Sequence, residues 1–183
     1  MRLVPSTCVT IPVVGLSLIL VMLMRAVADP TPTLALVSSA FLTDGAIPQR
    51  YTCSGPNVSP ELKWTGVPAS ARSLALIMLD PDAPMGTFVH WVIYNLSPTT
   101  SALPEQVSPS ASLGDGEQGV NGLGSIVYTG PCPPAGEPHH YHFRLYALDE
   151  RLNLQKGATA QQLESAIQGH ILASTELVGI FQR

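Results

Sequence analysis

Five titratable side chains stand where the chain is built to be stiff. Asp80 and Asp82 follow the apolar run 74–79 and are interleaved with Pro81 and Pro84, and His90 comes early in the next apolar run, 88–94. Farther on, His139 and Tyr141 open an alternating run behind a loop that holds Pro131, Pro133, Pro134 and Pro138. An aspartate beside a histidine holds the imidazole in one tautomer, and imidazole, phenol and backbone N–H groups all donate to phosphate oxygens. The same residue types allow a hydrolase, with Asp80, His90 and His139 as base and orienter and Tyr141 as acid. Neither Ser nor Cys stands in a nucleophile-elbow context, so binding of an anion is expected over turnover. His140 and His142 share a strand face, but no third metal ligand lies near them in sequence, so they are read as solvent-facing side chains with no metal and no cofactor.

The elements that must position these groups follow from local chemistry. Proline fixes its own φ and disfavours helical geometry in the residue before it. Asp80 and Ala83 are therefore pushed toward extended backbone, and the segment reads as strand, rigid turn, strand. With period two, His139, Tyr141, Phe143 and Leu145 share one face of the later strand, while His140, His142, Arg144 and Tyr146 share the other. The run 34–37 suits a first strand, and Leu62-Lys63-Trp64 alternates as a half-buried one with Trp64 in the core. Residues 97–124 are mostly Ser, Pro, Gly, Asp and Glu and predict a long surface excursion. Leu163, Ala166, Ile167, His170 and Ile171 recur at helical spacing behind Thr159, an N-cap with Gln162 in the capping-box position. One C-terminal helix is expected there, with a last strand over 177–181.

Composition bounds the class. Charged residues make up 12% of the chain, against 15 glycines and 17 prolines, which fits a strand-rich, turn-rich domain better than a helical bundle. Arg2 precedes an apolar run that ends at Ala26-Val27-Ala28, the pattern of a signal peptide, 1–28, removed by cleavage after Ala28. The remainder, 29–183, is expected to be a single domain, exported to a periplasm or secreted. Losing Arg2 and Arg25 takes the formal net charge from -4 to -6, and the basic residues left are scattered, which argues against nucleic acid as a partner. Cys8 leaves with the leader, so Cys53 and Cys132 remain. Export makes a disulfide between them one reading, and two buried free thiols the other.

Several of these motifs, in this order, resemble the phosphatidylethanolamine-binding protein family, and in particular its bacterial, Raf kinase inhibitor-like branch. They are Gly55-x-Asn57-x-Ser59-Pro60-x-Leu62-x-Trp64, Asp80-Pro81-Asp82-Ala83-Pro84, His90-Trp91-Val92-Ile93, Gly130-Pro131-Cys132-Pro133-Pro134 and His139-x-Tyr141-x-Phe143. Gly169-His170-Ile171-Leu172-Ala173 resembles the family's C-terminal helix. The resemblance implies a mainly β sandwich: a large central antiparallel sheet packed on smaller strands, with a C-terminal helix and a small anion pocket at one end. Carried over residue by residue, the pocket falls on Asp80, His90, Pro134, His139 and Tyr141, with Asp82 and Gly130 close by. It implies a ligand that is phosphate, a phosphomonoester or a phospholipid head group of the phosphorylethanolamine type. In the combined reading, Asp80 and its turn orient His90. Protein interaction, as the inhibitor label suggests, is the alternative, and monomer and homodimer both stay open. Gly122 departs from the family pattern, where an acidic residue is common after Asn121, so the loop rim is where ligand choice is expected to differ.

Overall fold

The computed structural model describes residues 33–111 and 113–183. The expected leader and its cleavage site lie outside the described residues. The elements in chain order are β1 (Ala35–Val37), β2 (Gly45–Ala46), β3 (Leu62–Thr65), β4 (Ser73–Asp80), β5 (Phe88–Leu96), β6 (Ala102–Leu103), β7 (Glu117–Gln118), β8 (His139–Leu148), α1 (Ala160–Ala166) and β9 (Ile171–Phe181).

They form two sheets, as a mainly β sandwich requires. A small sheet has the order β1-β3-β6 and a large one the order β2-β9-β8-β4-β5-β7. Pairing in the large sheet is antiparallel except at one edge, where β2 runs parallel to β9. β4 is buried along its whole length between β5 and β8. Its unbroken apolar run, Leu74 to Leu79, fits a strand covered on both faces.

Two clusters cover those faces. On one side Leu36, Leu62 and Trp64 of the small sheet pack with Leu76, Met78, Trp91, Phe143 and Leu145 of the large one. On the other, Ala75, Ile77, Leu79 and Val92 pack beneath Leu152, Leu163 and Ile167. Trp64 is thus core, as its alternation predicts, and its Nε1 donates to the Thr100 carbonyl at 2.7 Å.

Helix α1 carries the expected capping box. Thr159 Oγ1 accepts from Gln162 N, and Gln162 Oε1 accepts from Thr159 N. Replacing Thr159 by alanine is expected to cost about 1 kcal/mol of stability, measured by urea unfolding, because it leaves a helix N–H without its acceptor. The helix is shorter than the spacing predicts. It ends at Ala166, Gly169 takes a left-handed φ of 84°, and Ile171 already begins β9. The assignment of 169–173 to a helix is therefore corrected. Apolar residues at helical spacing continue to Ile171, but Gly169 reverses the chain, and the edge of β8 takes up Ile171–Phe181 as a paired strand.

Residues 97–124 also differ from a simple surface excursion. Leu103, Val107, Gln118 and Asn121 are buried, and β6 and β7 tie the segment to both sheets. A polar composition hides these anchors because each is a single residue with no period.

Candidate functional site

Strand order brings the charged residues together. β4 lies between β8 and β5, so Asp80 at its end has His139 and Tyr141 on one side and His90 on the other. Asp80 is buried, and the proline-stiffened turn after it is closed by Asp80 Oδ1 accepting from Asp82 N at 2.9 Å. The other oxygen, Oδ2, lies 2.8 Å from His139 Nδ1. Asp80 therefore orients His139 rather than His90, which corrects the expected pairing. His139 on β8 reaches the carboxylate, whereas His90 has a different partner.

That partner is a backbone carbonyl. His90 Nδ1 lies 2.6 Å from the Thr129 oxygen, which fixes the proton on Nδ1. His90 occupies a β-bulge: Met78 faces Trp91 and Leu79 faces Val89, so His90 has no opposite residue on β4. A bulge re-aims side chains, and here it turns His90 to the side of Tyr141, with ring centroids 5.2 Å apart at 81°. The loop after β7 supplies the hydrogen bonds that the bulge gives up. Thr129 N donates to His90 O and Gly122 N to Val89 O. Asn121 shapes that loop, donating to Val127 O and Thr129 Oγ1 and accepting from Leu123 N and Ser125 N.

Asp80, His90, Gly130, Pro134 and His139 line one cavity of about 580 Å³, together with Ala83, Pro84, Met85, Phe88, Leu123, Thr129, Cys132 and Pro133. Tyr141 is placed differently. It is fully buried, its ring packs against those of His90 and His139, and it lies outside the cavity lining. Asp82 does not face the cavity either. Its Oδ2 accepts from both the backbone N and the Nδ1 of His140 at 2.8 Å, so the second carboxylate of the turn is paired on the outer surface. Period two places His140 and His142 on the same face of β8, but only His140 is solvent-facing as expected; His142 is half-buried. His140 is engaged by Asp82, and His142 Nδ1 stands 3.0 Å from Glu176 without hydrogen-bond alignment. Among the described residues no group of three His, Cys, Asp or Glu side chains is arranged to hold a metal.

Gly130 has a packing reason to be glycine. A Cβ there would stand 2.2 Å from Tyr51 O and 2.5 Å from Asn57 Oδ1, the atom that accepts from Gly130 N. Cys53 and Cys132 are joined in a disulfide that ties the same wall to the loop at 49–57. Of the two readings open for these cysteines, the bonded pair is the one found.

The protonation states follow from burial and neighbours. Burial above all holds the His90 imidazole below its ordinary value, against the raising effects of the Thr129 carbonyl and Asp80. Burial and, second, the charge of Asp80 push the Tyr141 phenol well up, so it remains an O–H donor. The His140 hydrogen bonds hold Asp82 below the usual carboxylate range. On these two adjoining rings, two buried polar atoms have no hydrogen-bond partner among the described residues: His90 Nε2 and the Tyr141 hydroxyl. Sequence reasoning missed Met85, Phe88, Leu123 and Thr129 as site residues. Only the sequence neighbourhood of Pro84, His90 and Gly130 pointed to them.

Comparison with known proteins agrees with this architecture. The family model described as phosphatidylethanolamine-binding protein matches residues 37–182. A UPF0098 protein of Methanothermobacter thermautotrophicus is 49% identical over 149 residues, covering 81% of this chain and 98% of that protein. One from Chlamydia muridarum is 43% identical over 153 residues, with 81% and 98% coverage. Among solved structures, a putative phosphatidylethanolamine-binding protein homolog, CT736 from Chlamydia trachomatis, superposes with a TM-score of 0.76 at 41% identity, covering 83% of this chain and 99% of that one. Escherichia coli YbcL, described as a member of the mammalian family, gives a TM-score of 0.77 at 27% identity, with 82% and 98% coverage. Match length, identity and fold together place the chain in the phosphatidylethanolamine-binding protein family.

Proposed function

We propose that this protein is a non-enzymatic binding protein whose cavity holds phosphate, a phosphomonoester or a phosphorylethanolamine-type head group. Family membership supports a binding or regulatory role in general. The observation that carries the finer reading is His90 Nε2, buried at the cavity wall with no partner. A buried polar atom left unpaired costs about 1–3 kcal/mol, and an oxyanion removes that cost by accepting from Nε2 once the ring has taken up a second proton. The Tyr141 hydroxyl, also unpartnered among the described residues and carried just behind the lining on a ring 5.2 Å from that of His90, supplies a second donor. His139, held through Nδ1 by Asp80, keeps Nε2 as its free ring nitrogen. Asp80 would repel an anion if bare, but one of its oxygens meets His139 Nδ1 and the other Asp82 N.

Two features support binding rather than turnover. Cys132 lines the cavity but is bonded to Cys53 and offers no thiolate. Among the described residues of the lining Thr129 carries the one hydroxyl, and it already accepts from Asn121.

Calorimetry with phosphorylethanolamine tests the reading, and its pH dependence carries a sign. In the free protein Nδ1 of His90 holds the proton and burial keeps the ring neutral. Folding stability should then fall as pH drops below about 6.5, where the unfolded chain takes up a proton that the buried ring resists. A bound anion supplies the counter-charge for the imidazolium, so binding takes up a proton and affinity rises as pH falls from about 8 to about 6. Heats in buffers of different ionisation enthalpy count that proton, and sulfate, which does not titrate in this range, serves as the control ligand. No heat with either anion, or affinity that falls on acidification, contradicts the proposal.

A further inference from the structure

The cavity is much larger than the anion that its buried donors call for. Its volume of about 580 Å³ lies within the range of about 300–1,000 Å³ that houses drug-sized ligands. A tetrahedral oxyanion needs only the corner beside His90 and His139. The remaining wall is largely uncharged and apolar, formed by Pro84, Met85, Phe88, Leu123, Pro133 and Pro134. Met85 is fully exposed and Leu123 is 66% exposed, both at the edge of this one cavity.

Phe88 joins the two regions. Its ring meets the His90 imidazole edge-on with centroids 4.8 Å apart, so a group extending from an anion at His90 would run along it. Gly122 lets the ring lie there. A Cβ at that position would stand 2.7 Å from Phe88 Cε2 and 2.9 Å from Cζ, closer than packed carbon atoms approach.

We propose that the site selects a phosphomonoester whose ester group is apolar, with Phe88, Met85 and Leu123 as the residues that contact that group and Gly122 as a positioning residue for Phe88. The proposal rests on the anion-binding reading given above. Phe88 supplies a flat apolar face, and Met85 adapts to irregular shapes through its unbranched, polarizable side chain. An exposed methionine and leucine also gain most when a ligand covers them, because apolar area then leaves water on both partners.

Calorimetry with inorganic phosphate, phenyl phosphate and phosphorylethanolamine tests it. The protein should bind phenyl phosphate at least about tenfold more tightly than inorganic phosphate, the effect of burying one ring. The double variant Met85→Ser, Leu123→Ser should reduce that ratio severalfold. Gly122→Asp, which displaces the Phe88 ring and adds a charge, should bring it close to one. Leu42→Ser removes an apolar side chain that is 80% exposed and lies away from the cavity, and it should keep the full ratio. Equal affinity for phosphate and phenyl phosphate, or a preference for phosphorylethanolamine, overturns the apolar selection and leaves the anion site standing. An undiminished ratio in the Met85/Leu123 variant overturns the residue assignment. Capture on phosphatidylcholine vesicles without affinity for phenyl phosphate assigns the rim to a bilayer and overturns the proposal. Silence towards all three ligands overturns the anion site as well.

Discussion

Replacing His90 by alanine is expected to weaken binding of phosphorylethanolamine about 10- to 100-fold, beyond what calorimetry detects for a weak ligand. The imidazole contributes a charge-assisted hydrogen bond in a buried corner, and such bonds are worth about 1.5–3 kcal/mol. Its geometry is set before any ligand arrives, because Nδ1 is held by the Thr129 carbonyl and the ring by contacts with Phe88 and Tyr141. Tyr141→Phe keeps that ring contact and loses only the hydroxyl, so its loss should be smaller, about fivefold. The alanine variant must remain folded for the comparison to count, which its thermal unfolding curve reports. Wild-type affinity in folded His90→Ala would remove His90 from the site.

The second large effect concerns the wall that faces His90. The bridge between Cys53 and Cys132 spans 79 residues of sequence. In the chain-entropy model a loop of that length stabilises the fold by about 4–5 kcal/mol, by restricting the unfolded chain. The double variant Cys53→Ser, Cys132→Ser should therefore unfold at a markedly lower urea concentration. Hydrogen bonds alongside the bridge act on the folded state instead. Cys53 N donates to Pro131 O, Gly130 N to Asn57 Oδ1 and the Tyr128 hydroxyl to Tyr51 O. Alkylation before reduction should leave both cysteines unlabelled, and two labelled thiols would contradict the bond. A bridge of this kind persists in oxidising compartments, which supports the proposal that the chain is exported.

Much of this architecture was legible in local sequence because it rests on local physics. The face shared by His139, Tyr141, Phe143 and Leu145 follows from the two-residue period of a strand, and all four are buried. The end of β4 at Asp80 follows from Pro81, and the start of α1 from Thr159 and Gln162. The motifs that resemble the family also named most of the cavity wall, from Asp80 through Gly130 and Pro134 to His139.

Other features depend on partners distant in the chain, and no local period encodes them. Alternation alone puts His90 and Trp91 on opposite faces of β5, and only the bulge brings His90 to Tyr141. Hydrogen bonds from Gly122 and Thr129 hold that bulge, about 30 to 40 residues away along the chain. The same holds for the turn at Asp80-Pro81-Asp82. Its two carboxylates look equivalent in sequence, yet one is buried against His139 and the other is paired with His140 at the surface. Met85, Phe88 and Leu123 carry no motif, and two segments distant in the chain assemble them into one wall. Local residue order was enough for β1, β3, β4, β5 and β8, for the buried face of β8, for the cap and for the family. Which histidine Asp80 holds, which way His90 points and how large and apolar the cavity is were settled only by the folded arrangement, because each depends on contacts between segments rather than within one.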